Sequence, residues 1–308
     1  MIPQKEINEK DTLSPVPSQT ASEPDLENEF AATVDIGAAT HQGLVRENNE
    51  DHYLVVRFQR ALAPLLSNVP EGILEKSYDI TGYGMLIADG MGGMAAGEVA
   101  SRMALAKVVQ LVVDTPDWIL SLSQTKDLQA VLERMTERFL QVDAALRDTA
   151  KNDFTLRGMG TTLTVAAMLA DDLILGHIGD SRVYLWRNGN MTQLTNDHTL
   201  AQSLINAGVA KPDDPAARSM RHVLTAAMGS LGEQIEPQVR RIRVAPGDQI
   251  LLCTDGLTDM VDDAAITAAI GDAPSAQHGC QDLVDLALAG GGRDNVTVVL
   301  ARLNPVSP

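Results

Sequence analysis

The chain has 308 residues, 44% hydrophobic but only 3% aromatic, so aliphatic side chains must fill one large core or two small ones. Its 41 acidic against 24 basic residues give a formal net charge of -17, which makes nucleic acid and anionic lipid poor partners. Two cysteines, Cys253 and Cys280, lie outside any CxxC pattern, and no leader or stretch of roughly 18 apolar residues appears. A disulfide framework, a cysteine zinc site and a membrane span are therefore not expected, and a soluble cytoplasmic protein is.

Residues 1–29 hold Pro3, Pro15, Pro17 and Pro24, seven acidic residues, and only Lys5 and Lys10 as basic ones. So little of this can be buried that a disordered tail is predicted, serving solubility or tethering. Ordered structure is expected from about Ala31, with one domain over 30–304. Strands are predicted at Thr33 to Ile36, His52 to Phe58 and Tyr83 to Ala88, with 59–81 as a long loop or hairpin insertion. Helical spacing of Val99, Met103 and Ala106 predicts a helix from Ala95 to about Val113. A second runs from Asp127 to Thr149, with Leu128, Val131, Leu132, Met135, Phe139, Val142 and Leu146 on one face.

Strands return at Thr161 to Leu169, Leu173 to Ile178 and Arg182 to Arg187, with turns at Asp171-Asp172 and Asn188-Gly189, the latter a strong hairpin signal. Asp197 is predicted to cap a helix from His198 to Ala207, stopped by Gly208. Residues 209–222 read as a mobile loop. Strands at Gln238 to Val244 and Gln249 to Thr254, helices at 263–270 and 275–288, and a strand at 296–302 complete the chain. Tight hairpins with helices in blocks argue for an α+β fold with antiparallel sheets.

Three apolar runs end in an aspartate beside a small residue: Asp89-Gly90, Asp180-Ser181 and Asp255-Gly256. Glu50-Asp51 and Asp294-Asn295 precede two further strands. One Asp-Gly is ordinary turn chemistry. Repeated at strand ends, such carboxylates are costly unless paired, hydrogen-bonded or on a cation. Without a His/Cys cluster they select hard ions such as Mg²⁺ and Mn²⁺. Asp89, Asp255, Asp294 and Glu50 or Asp51 are candidates to hold two ions about 3.5–4 Å apart. Gly90, lacking a Cβ, lets its carbonyl approach an ion.

The segments Gly43-Leu44-Val45-Arg46-Glu47-Asn48-Asn49-Glu50-Asp51, Ala88-Asp89-Gly90-Met91-Gly92-Gly93, Gly158-Met159-Gly160-Thr161-Thr162, Gly179-Asp180-Ser181-Arg182, Thr254-Asp255-Gly256-Leu257 and Gly292-Arg293-Asp294-Asn295-Val296-Thr297 resemble, in order, the signature of the metal-dependent protein phosphatase 2C family in its bacterial form. The match covers about 31–303. It implies a four-layer α-β-β-α sandwich: two antiparallel sheets flanked by helices. It implies hydrolysis of phosphoserine and phosphothreonine by a metal-activated water. By position, Asp89 is similar to the residue bridging two Mn²⁺ or Mg²⁺ ions. Asp255 and Asp294 match ligands of the first ion; Glu50 and the Gly90 carbonyl match ligands of the second, with Asp51 on metal-bound water. Asp180, with Asp255, matches support for a third, weaker ion. Arg46 matches the phosphate-binding arginine.

Arg182 is either a structural ion pair or a substrate contact, and Asn295 either orients Asp294 or satisfies a turn. Met91 stands where animal members carry a histidine proton donor, which leaves the general acid open among His41, His198, His222 and a metal-bound water. Residues 208–230 match the family's flap in place. The resemblance implies phosphoprotein substrates and a cognate serine/threonine kinase as partners. Rival readings are a pseudophosphatase scaffold, or a phosphatase of anti-sigma-factor antagonists, a branch that usually adds sensor domains for which a 29-residue tail has no room.

Overall fold

The computed structural model describes residues 32–62, 78–92, 96–114, 128–212, 214–230 and 235–305. The predicted tail, 1–29, lies outside the described residues. The elements in order are β1 (Ala32–His41), β2 (Asp51–Leu62), β3 (Tyr78–Met91), α1 (Ala96–Asp114), α2 (Leu128–Asn152), β4 (Gly160–Thr161), β5 (Leu163–Leu169), β6 (Asp172–Ile178), β7 (Arg182–Arg187) and β8 (Asn190–Gln193). They continue with α3 (Leu200–Asn206), α4 (Pro215–Ser219), β9 (Gln238–Arg243), β10 (Gln249–Cys253), α5 (Asp255–Thr258), α6 (Asp263–Asp272), α7 (Ala276–Ala289) and β11 (Val296–Pro305).

Two antiparallel sheets form, one in the order β1-β11-β10-β7-β8, the other β2-β3-β5-β6-β9 with β4 on β3. Strand alternation sorts their side chains between three apolar layers. Leu163, Val165, Ala167 and Leu169 of β5 face α1 and α2, where Ala100, Ala104, Phe139 and Val142 are buried. Ala166 and Met168 face the other way and meet Ile250 and Leu252 of β10 between the sheets. Leu251 and Cys253 of β10 then face Ile266, Leu283 and Val284 of α6 and α7. Each strand at the centre is thus apolar on both faces, and each buried Val, Leu, Ile, Phe or Met contributes about 1.5–3 kcal/mol by leaving water. This is the expected four-layer α-β-β-α sandwich.

The Asn188-Gly189 hairpin forms, with φ of 52° and 80° at the two turn residues. The neighbouring turn is Ala170-Asp171; Asp172 opens β6 instead, held by Arg241 of β9 at 2.5 and 2.7 Å. The stretch 59–81 supplies the outer ends of a long β2–β3 hairpin, with 63–77 outside the described residues. Residues 209–222, predicted as a loop, contain α4, which has Pro215 at its start. The helix predicted from His198 is capped by Thr199, whose hydroxyl accepts from the Gln202 N–H at 3.2 Å. Asp197 is occupied by Arg182 and is not the cap.

Candidate metal centre

Antiparallel pairing brings the acidic strand ends together. Asp51 opens β2 and lies directly opposite Asp89 near the end of β3. Asp180 follows β6, Asp255 follows β10 as the first residue of α5, and Asp294 precedes β11, the neighbour of β10. Both sheets therefore present carboxylates at the same end of the sandwich.

The backbone around each acid is fixed. The Asp89 carbonyl accepts from the Thr162 N–H at 2.9 Å and the Thr161 hydroxyl at 2.8 Å, and the Asp89 N–H donates to Thr162 Oγ1 at 2.9 Å. Thr254 accepts from the Thr297 N–H at 3.0 Å and donates to Asp51 Oδ2 at 2.9 Å. Asn295 accepts from the Glu50 N–H and donates to the carbonyls of Gln42 and Asn48, each at 2.8 Å. It thereby pins the loop that carries Arg46 and Glu50 to the strand that carries Asp294. Gly90 and Gly97 let the start of α1 close over this corner. A Cβ on Gly90 would fall 2.2 Å from the Gly97 carbonyl oxygen, and one on Gly97 would fall 2.5 Å from Glu50 Oε2.

The charge is not balanced from within. Among the described residues, no basic side chain forms an ion pair with Asp51, Asp89, Asp180 or Asp255, and only Arg46 reaches Asp294, at 2.6 Å. Burial pushes the Asp51 carboxyl up to about 7, with the hydroxyls of Thr297 and Thr254 opposing and Asp294 and Glu50 adding to it. Burial and then the charge of Asp197 push Asp180 up to about 6. Asp89 and Asp255 rise well above the usual carboxylate range, first from desolvation and then from the surrounding aspartates. Desolvation also raises Glu50, against the pull of Arg46. Asp51 Oδ1 is buried without a hydrogen-bond donor among the described residues. Carboxylate oxygens that are crowded together and short of hydrogen-bond donors and basic partners are the donor set of a hard divalent cation. The residues present fit such ions.

Arg182 donates to both oxygens of Asp197 at 2.7–3.1 Å, so it is a structural pair. Asn295 combines the two roles left open, since its backbone N–H also donates to Asp294 Oδ1 at 2.8 Å. His41 Nδ1 accepts from Gly43 N–H at 2.9 Å, and His198 Nδ1 from Gly179 N–H at 3.1 Å. His198 also stacks on buried His177 at 5.2 Å, so it shapes the Asp180 turn. His222 instead points at Asp259, with Nδ1 3.3 Å from Oδ2. Sequence reasoning missed Asp259, which caps the C-terminus of α5 one helical turn after Asp255; recognising that short helix would have put both on one face.

Carboxylates from two stacked antiparallel sheets, gathered at one end, define a cation-binding α-β-β-α sandwich. The description "Protein phosphatase 2C" matches residues 77–282. The chain is 37% identical over 264 residues to serine/threonine protein phosphatase PstP of Mycobacterium tuberculosis, a match covering 86% of this chain and 44% of that protein. It is 35% identical over 221 residues to protein phosphatase PhpP of Streptococcus pneumoniae, covering 71% and 85%. The catalytic domain of PstP, solved with two manganese ions, superposes with a TM-score of 0.66 at 34% identity, covering 88% of this chain and 98% of that domain. The chain belongs to the protein phosphatase 2C family. It spans less than half the length of its mycobacterial relative. No helix among the described residues is long and apolar enough to cross a membrane.

Proposed function

We propose that this chain is a metal-dependent serine/threonine protein phosphatase that hydrolyses phosphoserine and phosphothreonine in proteins, in the cytoplasm and opposite a serine/threonine kinase. The carrying observation is the facing pair Asp51 and Asp89, joined by Asp255 and Asp294 without a neutralising basic group on the first three. Asp89 would bridge two Mn²⁺ or Mg²⁺ ions, Asp255 and Asp294 would complete one, and Glu50 and the Gly90 carbonyl the other, with Asp180 supporting a weaker third. Bound there, the cations would supply a water of lowered pKa and offset charge on the phosphoryl oxygens. Asp51, whose Oδ2 accepts from the Thr254 hydroxyl, would orient that water and accept its proton. Arg46, largely exposed and paired with Asp294 at 2.6 Å, would take phosphate oxygens through the rest of its guanidinium fork. A scaffold without activity would gain nothing from this unneutralised set, whose repulsion lowers stability. The deciding experiment is hydrolysis of an aryl phosphate and a phosphopeptide with Mn²⁺, and again with chelator. Equal turnover in the two conditions would end the reading.

Two variants separate the roles. Arg46→Ala is expected to raise KM for a phosphopeptide roughly 10-fold or more, with a smaller fall in kcat, because phosphate is gripped in ground and transition states alike. A fall in kcat alone would move Arg46 to the transition state. Asp180→Ala is expected to retain the two tight ions in calorimetric titration and lose turnover by roughly 10-fold or more. Loss of tight binding would place Asp180 in the main pair, and normal turnover would make it a turn residue.

A further inference from the structure

Helix α1 carries a hydroxyl where a methyl would serve the helix better. Ala96, Ala100 and Ala104 lie on its buried side, and Ser101 beside them is just as fully buried. A serine inside a helix costs stability relative to alanine, and its hydroxyl ordinarily bonds the carbonyl four residues back. Here that bond, to Gly97, is long at 3.2 Å, as is the one to the Glu98 carbonyl. The short contact leaves the helix: Ser101 Oγ lies 2.6 Å from the Glu50 carbonyl oxygen. The hydroxyl has a single proton and the carbonyl can only accept, so that proton goes to Glu50. His52 Nδ1, 2.9 Å from the same Oγ, is then the group that donates to it. A chain of two hydrogen bonds runs from the imidazole through Ser101 to Glu50. The Glu50 carbonyl oxygen has a second donor, the Gly90 N–H at 3.2 Å. Glu50 and Gly90 are therefore tied to each other through the oxygen that Ser101 holds.

We propose that Ser101, backed by His52, is a positioning residue: it holds the Glu50 backbone so that the Glu50 carboxylate and the Gly90 carbonyl face one cation. This rests on the phosphatase reading, in which those two groups are ligands of the second ion. Neither Ser101 nor His52 needs to touch the ion. The Glu50 N–H is fixed as well, on Asn295 Oδ1 at 2.8 Å, so both backbone groups of the residue are held and its carboxylate leaves in a set direction. That carboxylate lies against Gly97, one helical turn before Ser101. Alanine at 101 would leave the Glu50 carbonyl with only the longer Gly90 bond, and the His52 Nδ1–H without its hydroxyl acceptor. Groups that orient a ligand from behind govern metal affinity without binding the metal themselves.

The test is calorimetric titration of the full chain, stripped with chelator, with Mn²⁺. Ser101→Ala is expected to weaken one of the two tight equivalents at least about 10-fold and to spare the other. Turnover of an aryl phosphate at limiting Mn²⁺ should fall and recover as Mn²⁺ is raised, with KM unchanged. His52→Leu should weaken the same equivalent, whereas His52→Asn, whose amide can still donate to Ser101 Oγ, should restore it. Glu50→Gln is the control and should weaken that equivalent too. A hydroxyl that only stabilises the helix packing would lower the melting temperature and leave both equivalents tight. Two unchanged equivalents in Ser101→Ala, beside one weakened in Glu50→Gln, overturn the positioning role and leave the phosphatase reading standing. Equal weakening of both equivalents in Ser101→Ala also overturns it, because the effect would then be general to the centre. If Glu50→Gln keeps both equivalents tight, the ligand assignment of Glu50 falls, and the positioning role with it.

Discussion

Replacing Asp89 by asparagine is expected to lower aryl-phosphate turnover at least about 100-fold, a barrier rise of about 2.7 kcal/mol, while raising the melting temperature of the metal-stripped chain. The two halves share one cause. Asp89 faces Asp51 across the β2–β3 pair and feels Asp255, Asp180 and Asp294 as well. Its charge is the group a pair of cations would share, so an amide there weakens both ions together. The same charge is repulsive when no cation offsets it, so an amide of equal size relieves the metal-free fold. Its backbone bonds to Thr161 and Thr162 do not involve the carboxylate and should survive. Retention of more than about a tenth of the activity would rule out Asp89 as the bridging ligand. A lower melting temperature without metal would mean that its carboxylate is compensated by some contact other than a cation.

Much of this arrangement was legible in the sequence because it is local. Asn188-Gly189 declares a hairpin by its positive φ values, and apolar runs that stop at Asp-Gly mark strand ends. Antiparallel hairpins then bring those ends to one side of the sandwich. Six short motifs in order added the family and its fold. What stayed hidden was non-local. Asp197 satisfies the local rule for a helix cap, but Arg182 takes its carboxylate, and the hydroxyl of Thr199 does the capping. Asn295 makes its amide contacts to Gln42 and Asn48, some 250 residues earlier in the chain, and no period or composition reveals such a bond. Asp259 was missed because α5 is a single turn following the strand-like run Leu251-Leu252-Cys253. So short a helix leaves no apolar periodicity to read.

Removing the cations should also give the fold an unusual response to pH. The metal-stripped chain is expected to lose melting temperature as pH rises from about 6.5 to 8. In the folded chain Asp51 titrates at about 7, and Asp89 and Asp255 lie well above the ordinary range, whereas an unfolded aspartate titrates near 3.9. A carboxyl raised by folding binds its proton more tightly in the folded state. Its contribution to stability is complete below the unfolded value and disappears as pH climbs through the folded one. Asp180, at about 6, loses its share earlier in the same direction. Buried His177 works the other way, since burial lowers it to about 3 and its contribution grows until the unfolded histidine is neutral near 6.5. Above that pH the histidine is silent and the aspartates act alone. The fall should be readily measured as a lower melting temperature. With saturating Mn²⁺ the slope should vanish, because bound cations favour the ionised carboxylates and add their own binding free energy to the folded state. Paired melting curves with chelator and with Mn²⁺, at pH 6.5, 7.2 and 8, decide it. A metal-free melting temperature that stays level or rises across that window would show that the aspartates at the strand ends are not held uncompensated by burial and mutual repulsion, on which the cation-binding reading depends.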